Sequence, residues 1–243
     1  MSEWWTYRPA DFLMFAPPTY WRLFELHNEA WWPAQPLLLL AGLAWTAWLA
    51  RRAGPSAGAA LPLRVGAAGL AAASAFVATG FLLQRYAPIN WAASAFAAGF
   101  LVQTAGLAVL AAQPGLATAP RRRRRRVGLL LCGWAVAGHP LLAAASGRPW
   151  TQAEVFGLAP DPTAIATLGV LLWASARSRP VRGLLRTLAI LPALWCAISA
   201  ATLWTMGSPQ GWVPAAALLA AAWAARAAPS AARGRRSAPP VGR

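Results

Sequence analysis

The stretch RRRRRRVGLLLCGWAVAGHPLLAAAS, residues 121–146, sets six consecutive arginines against twenty residues that hold no carboxylate and no further arginine. A helix of about 20 mostly apolar residues spans the hydrocarbon core of a bilayer. An arginine block beside such a segment holds that end on the cytoplasmic side. Read outward from here, the chain shows six more segments of the same kind, giving candidate spans at 33–50, 65–83, 91–112, 127–146, 162–176, 187–206 and 212–228. Composition agrees with them. Apolar residues make up 58% of the 243 and charged residues 12%, against roughly 25% charged in an average soluble domain. Fifteen tryptophans suit a chain anchored at membrane interfaces. The expected fold is an all-α transmembrane bundle of about seven spans.

Orientation follows from the arginines. With the N-terminus outside and the C-terminus inside, 18 of the 22 basic residues, all arginine, fall on the inner side. Arg8, Arg22, Arg85 and Arg148 remain outside, with all six carboxylates: Glu3, Asp11, Glu25, Glu29, Glu154 and Asp161. The first 31 residues lack a basic start and an apolar core, so the first span is expected to insert as an uncleaved anchor. Three parts result: an outer aromatic segment at 1–32, the bundle at 33–228 and a basic tail at 229–243 rich in proline and small residues, expected to be disordered.

A net charge of +16 raises nucleic acid as a partner. Its placement points elsewhere. Arg121 to Arg126 has no interleaved aromatics, and such a run at a span's inner end is expected to meet the lipid bilayer, attracting anionic lipid by about 1 kcal/mol per basic residue. No nucleic acid is expected; a protein partner or a second copy is left open. Without lysine there is no Schiff-base chemistry. Phosphate-cradling glycine loops, His-Glu-x-x-His and Gly-x-Ser-x-Gly are absent too. Neither an enzyme nor a cofactor is expected.

Residues 1–32 carry ten aromatics. Thr19 reads as the N-cap of a helix through Asn28, with Tyr20, Phe24 and His27 on one face and Arg22, Glu25 and Glu29 around the other. Such a helix is expected to lie in the outer interface, aromatic face down, as an anchor or as a lid over the bundle. Within the spans, the runs 66–73 and 95–99 are dense in glycine and alanine and suggest close helix packing. Cys132 and Cys196 read as small buried hydrophobes.

The candidate ligand or ion site gathers the polar groups at the outer half of the bundle: His139, Asp161, Thr163, Glu154 and Arg148. An ionisable residue within a span usually faces the interior and marks function, and His139 stands beside Pro140, which kinks its helix. Asp161 followed by Pro162 reads as a carboxylate N-cap with proline at the first helical position. The 15 residues before Arg177 make a helix of about 22 Å, so its start is expected to sit below the outer surface, where transporters hold substrates. A small-solute or ion-binding permease and an accessory protein docking a partner through its outer aromatics both fit this pattern.

Three motifs, Tyr20-Trp-Arg-Leu-Phe-Glu-Leu26, Trp32-Pro-Ala-Gln35 and Pro160-Asp-Pro-Thr-Ala-Ile-Ala-Thr-Leu-Gly169, are similar to those of a bacterial family of multi-pass inner-membrane proteins of unknown function. Its members are sometimes labelled permeases of the major facilitator type. The resemblance spans nearly the whole chain and implies a bacterial inner-membrane location. It supplies no catalytic or binding residues, and seven spans without a visible repeat depart from two six-helix halves.

Overall fold

The computed structural model describes residues 13–52, 60–119, 121–176 and 178–226. The basic tail at 229–243 and the first twelve residues of the aromatic segment lie outside the described residues. The rest is mostly helical, with turns and connections between the helices and one short strand pair. In order, the helices are α1 (Pro17–Ala30), α2 (Ala34–Arg51), α3 (Ala60–Phe76), α4 (Ala93–Ala112), α5 (Arg122–Gly133), α6 (Leu141–Ala145), α7 (Pro160–Trp173), α8 (Arg179–Leu188), α9 (Ile190–Thr205) and α10 (Trp212–Ala225). α3 continues as a π-helix over Val77–Tyr86, and a π-turn over Trp134–Gly138 joins α5 to the Pro140 kink.

α7 is the axis. Every residue from Pro160 to Trp173 is buried, with α3, α5, α9 and α10 packed around it. Apolar side chains face outward on the surrounding helices, among them Leu40, Val102, Leu130 and Leu219, each more than 60% exposed. A surface so apolar needs a cover other than water.

Among the described residues, three helical stretches are long and apolar enough to cross a membrane: Ala60–Tyr86, Ala93–Ala112 and Arg179–Thr205. α1 and α2 meet that test only as a pair, bent by 89°. The seven expected spans are therefore reduced by this measure to three, or four with the bent pair. The reasons are local. The expected fourth span is broken by the π-turn and Pro140 into short pieces. α7 and α10 have 14 residues each, about 21 Å at 1.5 Å per residue. The fifth expected span also stops early, at Trp173, because residues 174–176 extend and pair antiparallel with Leu116–Thr118.

α1 begins at Pro17, with Ala16 rather than Thr19 at the N-cap and prolines in the first turn. Its aromatic face is correctly placed by the i, i+4, i+7 spacing, but it does not lie on lipid. Tyr20, Leu23, Phe24 and His27 are buried; Phe24 stacks on Phe81 at 4.6 Å, and the His27 ring lies 5.4 Å from the same phenylalanine. The helix closes one end of the bundle.

Close backbone contact occurs at Gly128 and Gly169, where α5 crosses α7. A Cβ at Gly128 would lie 2.6 Å from the Gly169 carbonyl oxygen, and one at Gly169 would lie 2.7 Å from that of Gly128. The small-residue runs at 66–73 and 95–99 lie on α3 and α4, which pack closely as expected, with Ala67, Ala71 and Ala97 buried; within them Gly66 lies under the Trp45 ring and Gly69 faces open space. Gly169→Ala must push two helix backbones apart, so it should destabilise the purified protein by about 1–3 kcal/mol. Thermal unfolding in detergent checks this, with Gly69→Ala as the neutral control. Cys132 and Cys196 are buried and unbridged, as the sequence suggests.

The arginine run has an internal role beyond its expected meeting with lipid. Arg124 Nη2 donates to the carbonyls of Leu171 and Ala174, at the end of α7, at 3.2 and 3.3 Å. Arg123 donates to Ala224 and Arg226 at the end of α10, with its guanidinium 4.8 Å from the Trp223 ring. Helix C-termini carry unpaired carbonyls and the negative end of the dipole, so the first turn of α5 clamps two neighbouring helix ends.

Candidate functional site

Three elements converge at the α1-covered end. α7 carries Asp161 in its first turn, the connection after the 3₁₀ turn Trp150–Gln152 carries Glu154, and the kink between α5 and α6 carries His139. The kink places His139 because the π-turn lets its N–H reach the Trp134 carbonyl at 2.7 Å, one residue further back than an α-helix allows. The connection is drawn inward by α1. Asn28 Nδ2 donates to the carbonyls of Thr151 and Ala153, both at 2.8 Å, and Gln35 Nε2 holds the Asn28 carbonyl at 2.7 Å. Gln152 Nε2 adds a 3.1 Å bond to Glu25.

The outcome is a compact group of ionisable side chains. His139, Glu154 and Asp161 are 2%, 3% and 1% exposed. Each offers one ligating atom, and these atoms lie within 4.8 Å of one another. His139 Nε2 and Glu154 Oε2 are 3.6 Å apart, beyond hydrogen-bond reach. Among the described residues, both imidazole nitrogens and Glu154 Oε1 have no hydrogen-bond partner. Buried polar atoms are nearly always paired, and an unpaired one costs about 1–3 kcal/mol. Three at one spot form a site that the fold itself does not satisfy.

Asp161 is held from behind. Its Oδ1 accepts from Trp195 Nε1 at 2.7 Å and its Oδ2 from Ser199 Oγ at 2.5 Å. Trp195 and Ser199 are four apart on α9 and so share one face. The expected capping role does not occur. Ala159 is the N-cap of α7, Pro160 precedes Asp161 in its first turn, and no side chain caps the helix. The aspartate is turned away from the backbone N–H groups towards α9.

The other two expected residues serve the frame. Thr163 Oγ1 donates to the Ala159 carbonyl at 2.7 Å and accepts from Gly157 N–H at 3.0 Å, locking the turn that enters α7. The Arg148 guanidinium lies 3.5 Å from the centroid of the Trp21 ring and donates to the Gln152 carbonyl and to Gln210 Oε1, at 3.1 and 2.9 Å. It ties α1, the connection and the start of α10 together. Sequence reading thus places His139, Glu154 and Asp161 in one neighbourhood, which the structure brings together, and assigns Thr163 and Arg148 to a task they share only indirectly. It omits Trp195 and Ser199. An indole and a hydroxyl four apart occur again at Trp204 and Ser208, so the spacing by itself does not single them out.

Two small spaces adjoin Trp195. One, of about 10 Å³, is bordered by Tyr20, Tyr86 and Ser199. The other, of about 90 Å³, lies deeper along α7, beside Ser74, Gln103 and Thr167. The indole borders both. Among the described residues, Ser74 Oγ and Gln103 Oε1 are buried without hydrogen-bond partners.

The chain belongs to a family of unknown function (DUF6064), whose model matches residues 18–233. The match takes in all three motifs quoted from the sequence, nearly all of α1 and every later helix. No curated protein and no solved structure matches the chain.

Proposed function

We propose that this member of a family of unknown function is a multi-pass protein of the bacterial inner membrane. In this reading it binds a cation at His139, Glu154 and Asp161 and acts on it as a permease does. One observation carries the reading: two carboxylates and an imidazole, all at least 97% buried, converge, and both imidazole nitrogens and one Glu154 oxygen have no hydrogen-bond partner among the described residues. Burying an unpaired charge costs several kcal/mol. Ionisable residues kept at membrane depth mark ion and substrate pathways.

Seven crossings with the N-terminus outside remain the topology we propose. The arginine distribution supports it, and α7, shielded on all sides by other helices, need not match the lipid thickness. Exposed Arg122 and Arg126 then meet anionic headgroups. The role is binding and passage; no reaction is assigned. The accessory-protein reading is weaker, because the aromatic face of α1 that would dock a partner is taken up by the bundle.

Reporter fusions after Arg52, Arg126 and Arg186 should give cytoplasmic signals, and fusions after Tyr86 and Trp150 external ones. Reversal at two or more points defeats the topology. For the site, purified protein is heated with chlorides of sodium, potassium, magnesium, calcium, manganese, cobalt or zinc. At least one cation should raise the unfolding midpoint by mass action, and Glu154→Gln with Asp161→Asn should abolish that rise. No response to any of them overturns the cation reading.

A further inference from the structure

We infer that the cation is a divalent first-row transition-metal ion, ligated by one imidazole nitrogen of His139 and one carboxylate oxygen each from Glu154 and Asp161. This rests on the cation reading and narrows it to a chemical class.

Charge sets the valence. Two carboxylates and a neutral imidazole present a formal charge of −2, which one divalent ion neutralises. A sodium or potassium ion would leave one negative charge buried. Donor type then selects among divalent ions. Calcium takes 6–8 oxygen ligands and magnesium a near-ideal octahedron of oxygens with several waters. Three convergent side chains, one of them a nitrogen donor, serve neither well. Imidazole suits zinc, copper, iron and nickel, while carboxylates keep manganese within range.

Geometry fits the class. Zinc-type bonds to His nitrogen and carboxylate oxygen are about 2.0–2.2 Å, so donors around a tetrahedral ion stand roughly 3.4 Å apart. His139 Nε2 and Glu154 Oε2 are at 3.6 Å already, and the triad as a whole lies within 4.8 Å. Contraction of the widest pair by up to about 1.4 Å closes the set. Three protein ligands leave a fourth position open, the arrangement of sites that exchange a ligand rather than lock a fold.

The surroundings are those of a ligand set. Metal-binding carboxylates are oriented by outer hydrogen bonds, and Asp161 receives two, from Trp195 and Ser199. The His139 backbone is fixed by the π-turn and Pro140. Glu154 is fixed through its neighbours, since Ala153 and Thr151 are both bonded to Asn28. Backbone positions are thus determined while the ligating atoms of His139 and Glu154 Oε1 stay unpaired.

Cobalt(II) chloride is the probe. Tag-free, chelator-stripped protein in lipid nanodiscs is titrated with it, and visible absorption is recorded. One equivalent should bind and give the intense bands of four- or five-coordinate cobalt. Zinc should bleach them stoichiometrically, while millimolar magnesium, calcium or sodium leaves them intact. His139→Ala and Glu154→Gln should each weaken cobalt binding by more than the roughly 10–100-fold attached to outer-shell changes. Glu154→Gln is nearly isosteric and covers the case in which the histidine variant fails to fold. If sodium or magnesium stabilises the protein through these residues while cobalt gives only weak octahedral bands, the transition-metal inference is wrong and the cation reading stands. If neither they nor cobalt binds, both are wrong.

Discussion

Asp161→Asn protein will fold, insert and unfold at close to the wild-type temperature, yet bind cobalt(II) more than about 100-fold more weakly, beyond what loss of an outer-shell contact produces. The substitution keeps shape and removes charge. Asparagine retains a carbonyl oxygen for the Trp195 N–H, and its amide can donate to the Ser199 hydroxyl in place of the present bond. Asp161→Ala differs, because it leaves a buried indole N–H and a buried hydroxyl without their acceptor, at about 1–3 kcal/mol each. A residue that only capped α7 would give another pattern, with asparagine silent in every assay and alanine costing stability alone. Binding isotherms and melting curves on the two variants separate these roles. Intact cobalt binding in Asp161→Asn would exclude the carboxylate as a ligand.

Trp195→Phe tests the support behind the aspartate. The indole packs edge-on against Phe96 and Phe100, with centroids 5.4 and 5.3 Å away. Phenylalanine keeps most of that contact and deletes the N–H. Affinity should fall by roughly 10–100-fold with one-to-one stoichiometry preserved, the signature of lost ligand orientation. Trp195→Ala should do more. It merges the two spaces bordered by the indole and costs about 3–5 kcal/mol as a large core cavity. Ser199→Ala, measured alone and with Trp195→Phe, shows whether the two donors act as one unit: effects that multiply mean independent support, and a double variant no weaker than the worse single one means a shared role. Cobalt affinity unchanged in Trp195→Phe would remove the tryptophan from the site.

Several features of this arrangement are legible in the sequence. His139 beside Pro140 and Asp161 between two prolines are chemically conspicuous in an apolar chain, and the topology expected from the arginines puts both in one half of the bundle with Glu154. Local spacing also gives the faces of α1. It cannot give what a face meets: the same Tyr20, Phe24 and His27 stripe would suit lipid or protein, and the structure supplies Phe81 and Phe76. Asp161 misleads for a related reason. Aspartate before proline favours a cap, but Pro160 starts the helix one residue earlier and leaves the side chain free for α9.

Tryptophan is the harder case. In a membrane chain it reads as an interface anchor, which suits exposed Trp91 and Trp212, and nothing local distinguishes the buried Trp195. Length and hydropathy support only three or four of the seven expected spans among the described residues, for another reason. Apolar length indicates burial without saying in what, and α7 is buried in protein along its whole length. The π-turns are invisible to any 3.6-residue pattern, though one of them sets the position of His139. Arg123 and Arg124 show the reverse lesson: charges legible as a topology signal also act as caps on two helix ends.

The most direct measurement is an anomalous-difference map from crystals of chelator-stripped protein soaked in cobalt(II), recorded at the cobalt edge. A single peak between His139, Glu154 and Asp161, about 2.0–2.2 Å from one atom of each, is the result this account predicts. Peaks only at other residues, with the three side chains unmoved and the space between them featureless, would contradict it.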